Sequence, residues 1–179
     1  MSDFGFIKDK DLRKTLEDSI EYVYLLFEKS VNDAENSLYQ KETRRVIILY
    51  VISTIEAILL YFYKVRDEKI KKFEYKFLQK LPVEFSYKGK KDASVIVAVQ
   101  ERTELKDQEI TMHKLVAFFK GKKLILEKTA NDILELNDLR NTFHFSKPRS
   151  KKCDLERTEK ALSLLVYTIK KAPKVLEKK

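Results

Sequence analysis

The sequence predicts an all-α protein: a helical bundle of four to five main helices carrying a small β-hairpin insertion. Three observations lead there. Gly and Pro number only three each in 179 residues, so turns are few and elements long. Apolar residues recur at spacings of three and four through most of the chain, the period of a helix that buries one face. One stretch in the middle, VEFSYKGKKDASVIVAVQERTEL, breaks that period. With 44% apolar residues the chain can build a real core, and its length fits one domain spanning residues 1–179.

The first helix is expected over residues 9–30, where Leu12, Leu16, Ile20, Val23 and Phe27 draw one stripe. VNDAENS reads as the turn after it. A long second helix is expected from about 35 to 66, with a kink or early end as an alternative. RDEKIKKFEYKFLQKL then reads as a basic helix that stops at Pro82. Next comes the hairpin, placed at about 83–100. Val83, Phe85 and Tyr87 alternate with polar partners, and Ser94–Val99 is rich in valine and isoleucine. A helical reading of 94–102 stays open beside it.

DQEITMHKLVAFFK predicts a short helix with Gly121 as its C-cap. KLILEKTANDILELNDLRNTFHF predicts another long one, with Leu126, Ile133, Leu136, Leu139 and Phe143 on or near one stripe and an end before Pro148. The last helix is expected to start at Asp154, a good N-cap, and the basic tail over 172–179 to fray.

Composition narrows the function. Three scattered glycines cannot build a phosphate-cradling loop, which excludes P-loop and Rossmann chemistry. The net charge of +9 and pI near 9.4 favour polyanionic partners: RNA, DNA or anionic lipid. The competing reading is a lysine-rich surface that is merely solvated. Cys153 is the single cysteine, so neither an intramolecular disulfide nor a cysteine zinc site can form within the chain. That suits a reducing cytoplasm, and the N-terminus lacks a signal-peptide pattern. The apolar run from Val46 to Tyr63 is long enough to invite a membrane reading. Glu56 near its centre and basic residues at both ends (Arg44, Arg45; Lys64, Arg66) favour a central core helix, in which Glu56 faces something polar.

Only two histidines exist, His113 and His144. His113 has ordinary amphipathic surroundings. His144 stands in LRNTFHFSKP, four positions after Arg140, so a continuous helix would put both on one face with Asn141 beside them. An arginine fork can hold a phosphate. A histidine can take a proton from a ribose 2′-hydroxyl or give one to the leaving 5′-oxygen. One histidine per chain supplies one such group, and a symmetric dimer would supply the second. A metal site is disfavoured, since the sequence has no HExxH motif and no cysteine ligand set. Cys153 and Ser146 lack the patterns that activate nucleophiles.

The stretch LRNTFHF (139–145) resembles the signature of the HEPN superfamily, an all-α group whose ribonuclease site combines an Arg, a polar residue and a His. The helix containing STIEAILLYFY also resembles a HEPN helix with an acidic residue facing that site. Three residues separate Arg140 from His144 (Asn141, Thr142, Phe143), a compact variant of the family spacing. The resemblance implies a metal-independent endoribonuclease of the toxin–antitoxin or antiviral-defence kind, acting on RNA without a cofactor as a homodimer, with a cognate antitoxin or partner protein. By motif, Arg140, Asn141 and His144 map to catalytic positions and Glu56 to a supporting one. The basic run Lys147, Arg149, Lys151 and Lys152 supplies candidates for RNA contact. Two other readings remain: an inactive RNA- or nucleotide-binding or assembly module of the same fold, or a helix end at which Arg140 and His144 only cap and pair with Glu56.

Overall fold

The structure, a computed structural model of the chain, describes residues 4–32, 37–81, 95–143 and 153–176. Among these residues it is mostly helical with one small antiparallel sheet, as the composition predicts. Contacts divide the chain into two compact units. One is helical, Met1–Asp67 with Thr111–Lys179; the other is Glu68–Ile110.

In the helical unit, α1 (Lys10–Asn32) and α2 (Leu38–Lys64) come first. Asp9 Oδ1 accepts the backbone N–H groups of Asp11 and Leu12 at 3.1 and 3.0 Å, capping α1. Ser37 Oγ does the same for α2, accepting the Gln40 N–H at 3.0 Å. The junction between the two helices is tied by Gln40, 4% exposed, whose Nε2 donates to the Ser30 carbonyl at 3.0 Å. Helix α2 runs unbroken for 27 residues, so the early end does not occur.

This helix is the centre of the unit. Ile47, Ile48, Val51, Ile52, Ile55 and Ile58 are fully buried, and α1, α3 (Met112–Gly121), α4 (Glu127–Asn141) and α5 (Leu155–Leu176) all pack on it. By length and composition α2 could cross a membrane. Its buried apolar residues pack against stripes from its neighbours: Leu16, Ile20 and Val23 of α1, Leu115 and Phe119 of α3, Ile133 and Leu136 of α4. Burying each such side chain contributes about 1.5–3 kcal/mol. The segment before α1 joins the same core. Phe4 and Ile7 are fully buried, the Phe6 ring stacks on Phe62 at 5.6 Å, and the Lys8 N–H donates to Tyr61 Oη at 3.0 Å.

Helices α3, α4 and α5 differ in their bounds from the sequence reading; α3 starts at Met112 rather than at Asp107, and Asp107–Glu109 forms a separate 3-10 turn. Gly121 is the last residue of α3 rather than its cap. Lys122 is the C-cap, and Lys123 takes the left-handed conformation (φ 58°) usually given to glycine. The Lys123 N–H donates to the Lys120 carbonyl at 2.9 Å and the Leu124 N–H to the Phe119 carbonyl at 3.0 Å, so the paired hydrogen bonds of the motif offset the strain of a side chain there. Helix α4 starts at Glu127 and ends at Asn141, shorter at both ends than 123–145. Leu126 is consequently 68% exposed and off the core stripe. Helix α5 begins where expected, with Asp154 Oδ1 accepting the Arg157 N–H at 3.0 Å, but it continues to Leu176 through Pro173. Residues 177–179 of the tail expected to fray lie outside the described residues.

The second unit corrects the sequence reading most. RDEKIKKFEYKFLQKL does not form a basic helix: Lys71–Lys80 is strand β1, and it pairs antiparallel with β2 (Ile96–Glu104). The hairpin is real but spans 71–104 rather than 83–100. Its expected first strand around Val83, Phe85 and Tyr87 lies outside the described residues, as does the turn at 88–92. The helical alternative for 94–102 is excluded over Ile96–Arg102. The physical reason was present in the sequence. Lys72-Phe73-Glu74-Tyr75-Lys76-Phe77 alternates charge and aromatic with period two, and aromatics favour strands; the basic character of the stretch drew attention away from that period.

Candidate active site

Arg140 and Glu56 meet. Leu136 and Leu139 hold the last turn of α4 in the core, at 1% and 2% exposure, and that anchoring carries Arg140 to the side of α2 where Glu56 interrupts the isoleucine run. Arg140 Nη1 donates to Glu56 Oε2 at 2.7 Å, joining residues 84 apart in sequence. Their side chains keep 22% and 29% of their surface exposed. At that exposure the ion pair contributes on the order of 1 kcal/mol, while both groups remain reachable from solvent. Among the described residues this is the one side-chain hydrogen bond of Arg140, so the rest of its planar fork can take an anion. Glu56 thus faces something polar, as its place in an apolar run requires.

Asn141 is half-buried and is the last residue of α4. Thr142 is the C-cap, its N–H bonded to the Leu139 carbonyl at 3.0 Å, and the Phe143 N–H closes a turn on the Arg140 carbonyl at 3.1 Å. The continuous helix that would set Arg140 and His144 on one face therefore stops short of His144. His144 lies outside the described residues, as do Lys147, Arg149, Lys151 and Lys152. The structure brings together Glu56 and Arg140, with Asn141 next along the helix.

His113 is exposed on α3, with Nε2 3.7 Å from Asp138 Oδ1, too far for a strong pair. Cys153 is 5% exposed. Burial pushes its thiol above the ordinary value, against the opposing pull of Arg45, so it packs rather than attacks. Among the described residues no group of three His, Cys, Asp or Glu is gathered as metal ligands.

Sequence reasoning passed over Asn137. It lies one turn before Arg140 and Asn141, is 2% exposed, and its Oδ1 has no hydrogen-bond partner among the described residues. Leaving a buried acceptor unpaired costs about 1–3 kcal/mol, an expense that groups at working sites tolerate and core groups rarely do. Its signal was legible: Asn137 falls four residues after Ile133, on the buried stripe, where an apolar residue belongs.

Compared with known protein families, curated proteins and solved structures, the chain matches none.

Proposed function

We propose that the helical unit is a HEPN-like, metal-independent endoribonuclease of the cytoplasm, a toxin or antiviral-defence component that cleaves RNA as a homodimer. The observation that carries this reading is the 2.7 Å contact between Glu56 and Arg140, the acidic residue and the arginine that the resemblance pairs. Glu56 holds one edge of the guanidinium, and the other edges bind the scissile phosphate and stabilise the charge that grows on it. Asn141 orients the phosphate or the arginine. His144 takes the proton of the 2′-hydroxyl, the 2′-oxygen attacks phosphorus, and a 2′,3′-cyclic phosphate forms. The 5′-oxygen leaves with a proton from the second copy's histidine. The basic run Lys147–Lys152 holds the RNA backbone, and a cognate antitoxin or partner protein restrains the activity.

The test is cleavage of total RNA by purified protein with EDTA present. Wild type cleaves; His144→Ala and Arg140→Ala lose at least a hundredfold; Glu56→Gln loses less, because Arg140 stays but is no longer fixed. Equal cleavage by wild type and His144→Ala sinks the proposal.

One observation favours a second reading, an inactive RNA-binding or assembly module. Helix α4 ends at Asn141, so it does not itself impose the shared face that catalysis needs. In that case Arg140→Ala and His144→Ala leave the cellular effect intact, while neutralising Lys147, Arg149, Lys151 and Lys152 removes it.

A further inference from the structure

The hairpin is inverted relative to an ordinary sheet. Directly opposed residues of an antiparallel pair share a face, and successive residues alternate. One face carries Lys72, Glu74, Lys76, Val99, Glu101 and Thr103. It is the more covered one over Lys72, Glu74, Glu101 and Thr103, and it is laced with ion pairs: Lys72 to Glu74 at 2.7 Å, Lys72 to Glu109 at 2.5 Å, Lys76 to Glu101 at 2.6 Å. The other face carries Phe73, Tyr75 and Phe77, and these aromatics are 61%, 69% and 61% exposed. Soluble proteins rarely leave such a row open unless something binds it.

The register says what kind of partner fits. Phe73 is opposed by Arg102, Tyr75 by Gln100 and Phe77 by Ala98, with Lys71, opposite Glu104, at one end of the row and Lys80, opposite Ile96, at the other, so cations outnumber the one carboxylate on this face. Gln100 Nε2 donates to Tyr75 Oη at 3.1 Å, which steadies the middle ring across the strands. Alternate strand residues lie about 6.8 Å apart, about twice the spacing of stacked bases. Three rings in a row with cations around them therefore match a strand whose bases are splayed apart, one to a ring, with phosphates between. A greasy protein helix would use the rings but leave Lys71, Lys80 and Arg102 without partners; a duplex would use the cations but not the rings.

We propose that this exposed face of the hairpin is a single-stranded RNA platform, on which Phe73, Tyr75 and Phe77 stack against unpaired bases while Lys71, Lys80 and Arg102 hold the phosphates. The choice of RNA over DNA rests on the ribonuclease reading above; the stacking geometry does not.

Anisotropy of a labelled 12-nucleotide oligouridine tests it, using the full chain carrying His144→Ala so that cleavage cannot distort binding. Phe73→Leu, Tyr75→Leu and Phe77→Leu keep apolar area and strand character but remove the stacking face. Each is expected to weaken binding about tenfold, with circular dichroism unchanged. Affinity should fall with salt at a log–log slope of about −2 from three phosphates, and a 12-base-pair RNA duplex should compete poorly. Unchanged affinity in all three leucine variants overturns the proposal. So does equal competition by the duplex, tighter binding of oligodeoxyuridine, or a concentration-dependent dimer that Phe73→Leu abolishes while RNA binding persists. Arg140→Ala separates the two readings: loss of cleavage with binding intact supports both, and cleavage that survives Arg140→Ala while the leucine variants lose binding leaves the platform standing alone.

Discussion

The helical unit and the hairpin treat the same kinds of residue in opposite ways. Around α2 the apolar side chains are sealed, and the charge that breaks the run, Glu56, is met by Arg140 at 2.7 Å. On the hairpin the ion pairs occupy the more covered face and the aromatics face solvent. The first arrangement is what stability requires. The second gives up apolar burial, so the rings of β1 must matter for something other than holding the hairpin together.

The sharpest way to break that contrast is to truncate both regions. Ile55→Ala, at a fully buried position, is expected to destabilise the helical unit by about 2–5 kcal/mol, while Phe77→Leu on the hairpin shifts stability by less than about 0.5 kcal/mol. Urea unfolding followed by circular dichroism reads both. A loss of 2 kcal/mol or more from the hairpin variant would show that its aromatics are structural after all.

A smaller effect sharpens the view of the candidate site. Asn137 is one point where the helical unit departs from its own rule, a buried acceptor with no donor among the described residues. Asn137→Leu should raise stability by about 1 kcal/mol and lower RNA cleavage. A destabilised variant with normal cleavage would make Asn137 an ordinary core residue.

The smallest effect separates the units by pH. The hydrogen bond from Lys72 holds the Glu74 carboxyl below its usual 4.5. A lowered carboxylate pKa contributes stability above the unfolded value, which is lost as pH falls through the folded one. Below pH 4.5, then, backbone amide shifts of 71–80 should move while those of Ile47, Ile48, Val51 and Ile52, the fully buried apolar positions of α2, stay fixed. Joint movement of both would refute a hairpin held by its own ion pairs.

How much of this was legible is clear from particular residues. The isoleucines of α2 announce a core helix because their density exceeds what one face can use. Asp154 announces an N-cap because a short acceptor before an apolar period has few other uses, and Glu56 announces a polar partner because a charge cannot remain alone in an apolar run. The strand at 71–80 was written in its period-two alternation but obscured by its lysines. Lys123 in a left-handed cap carried no signal, because nothing local distinguishes it from Lys122.

By itself the sequence determined the helical class, the central helix and the need for a partner to Glu56, because burial and charge are properties of residue type and spacing. Only the tertiary structure decided which partner Glu56 takes, where α4 stops short of His144, and that the rings of β1 face outward. Those outcomes depend on which surfaces meet across 84 residues of chain or across a strand pair, and no local pattern encodes that.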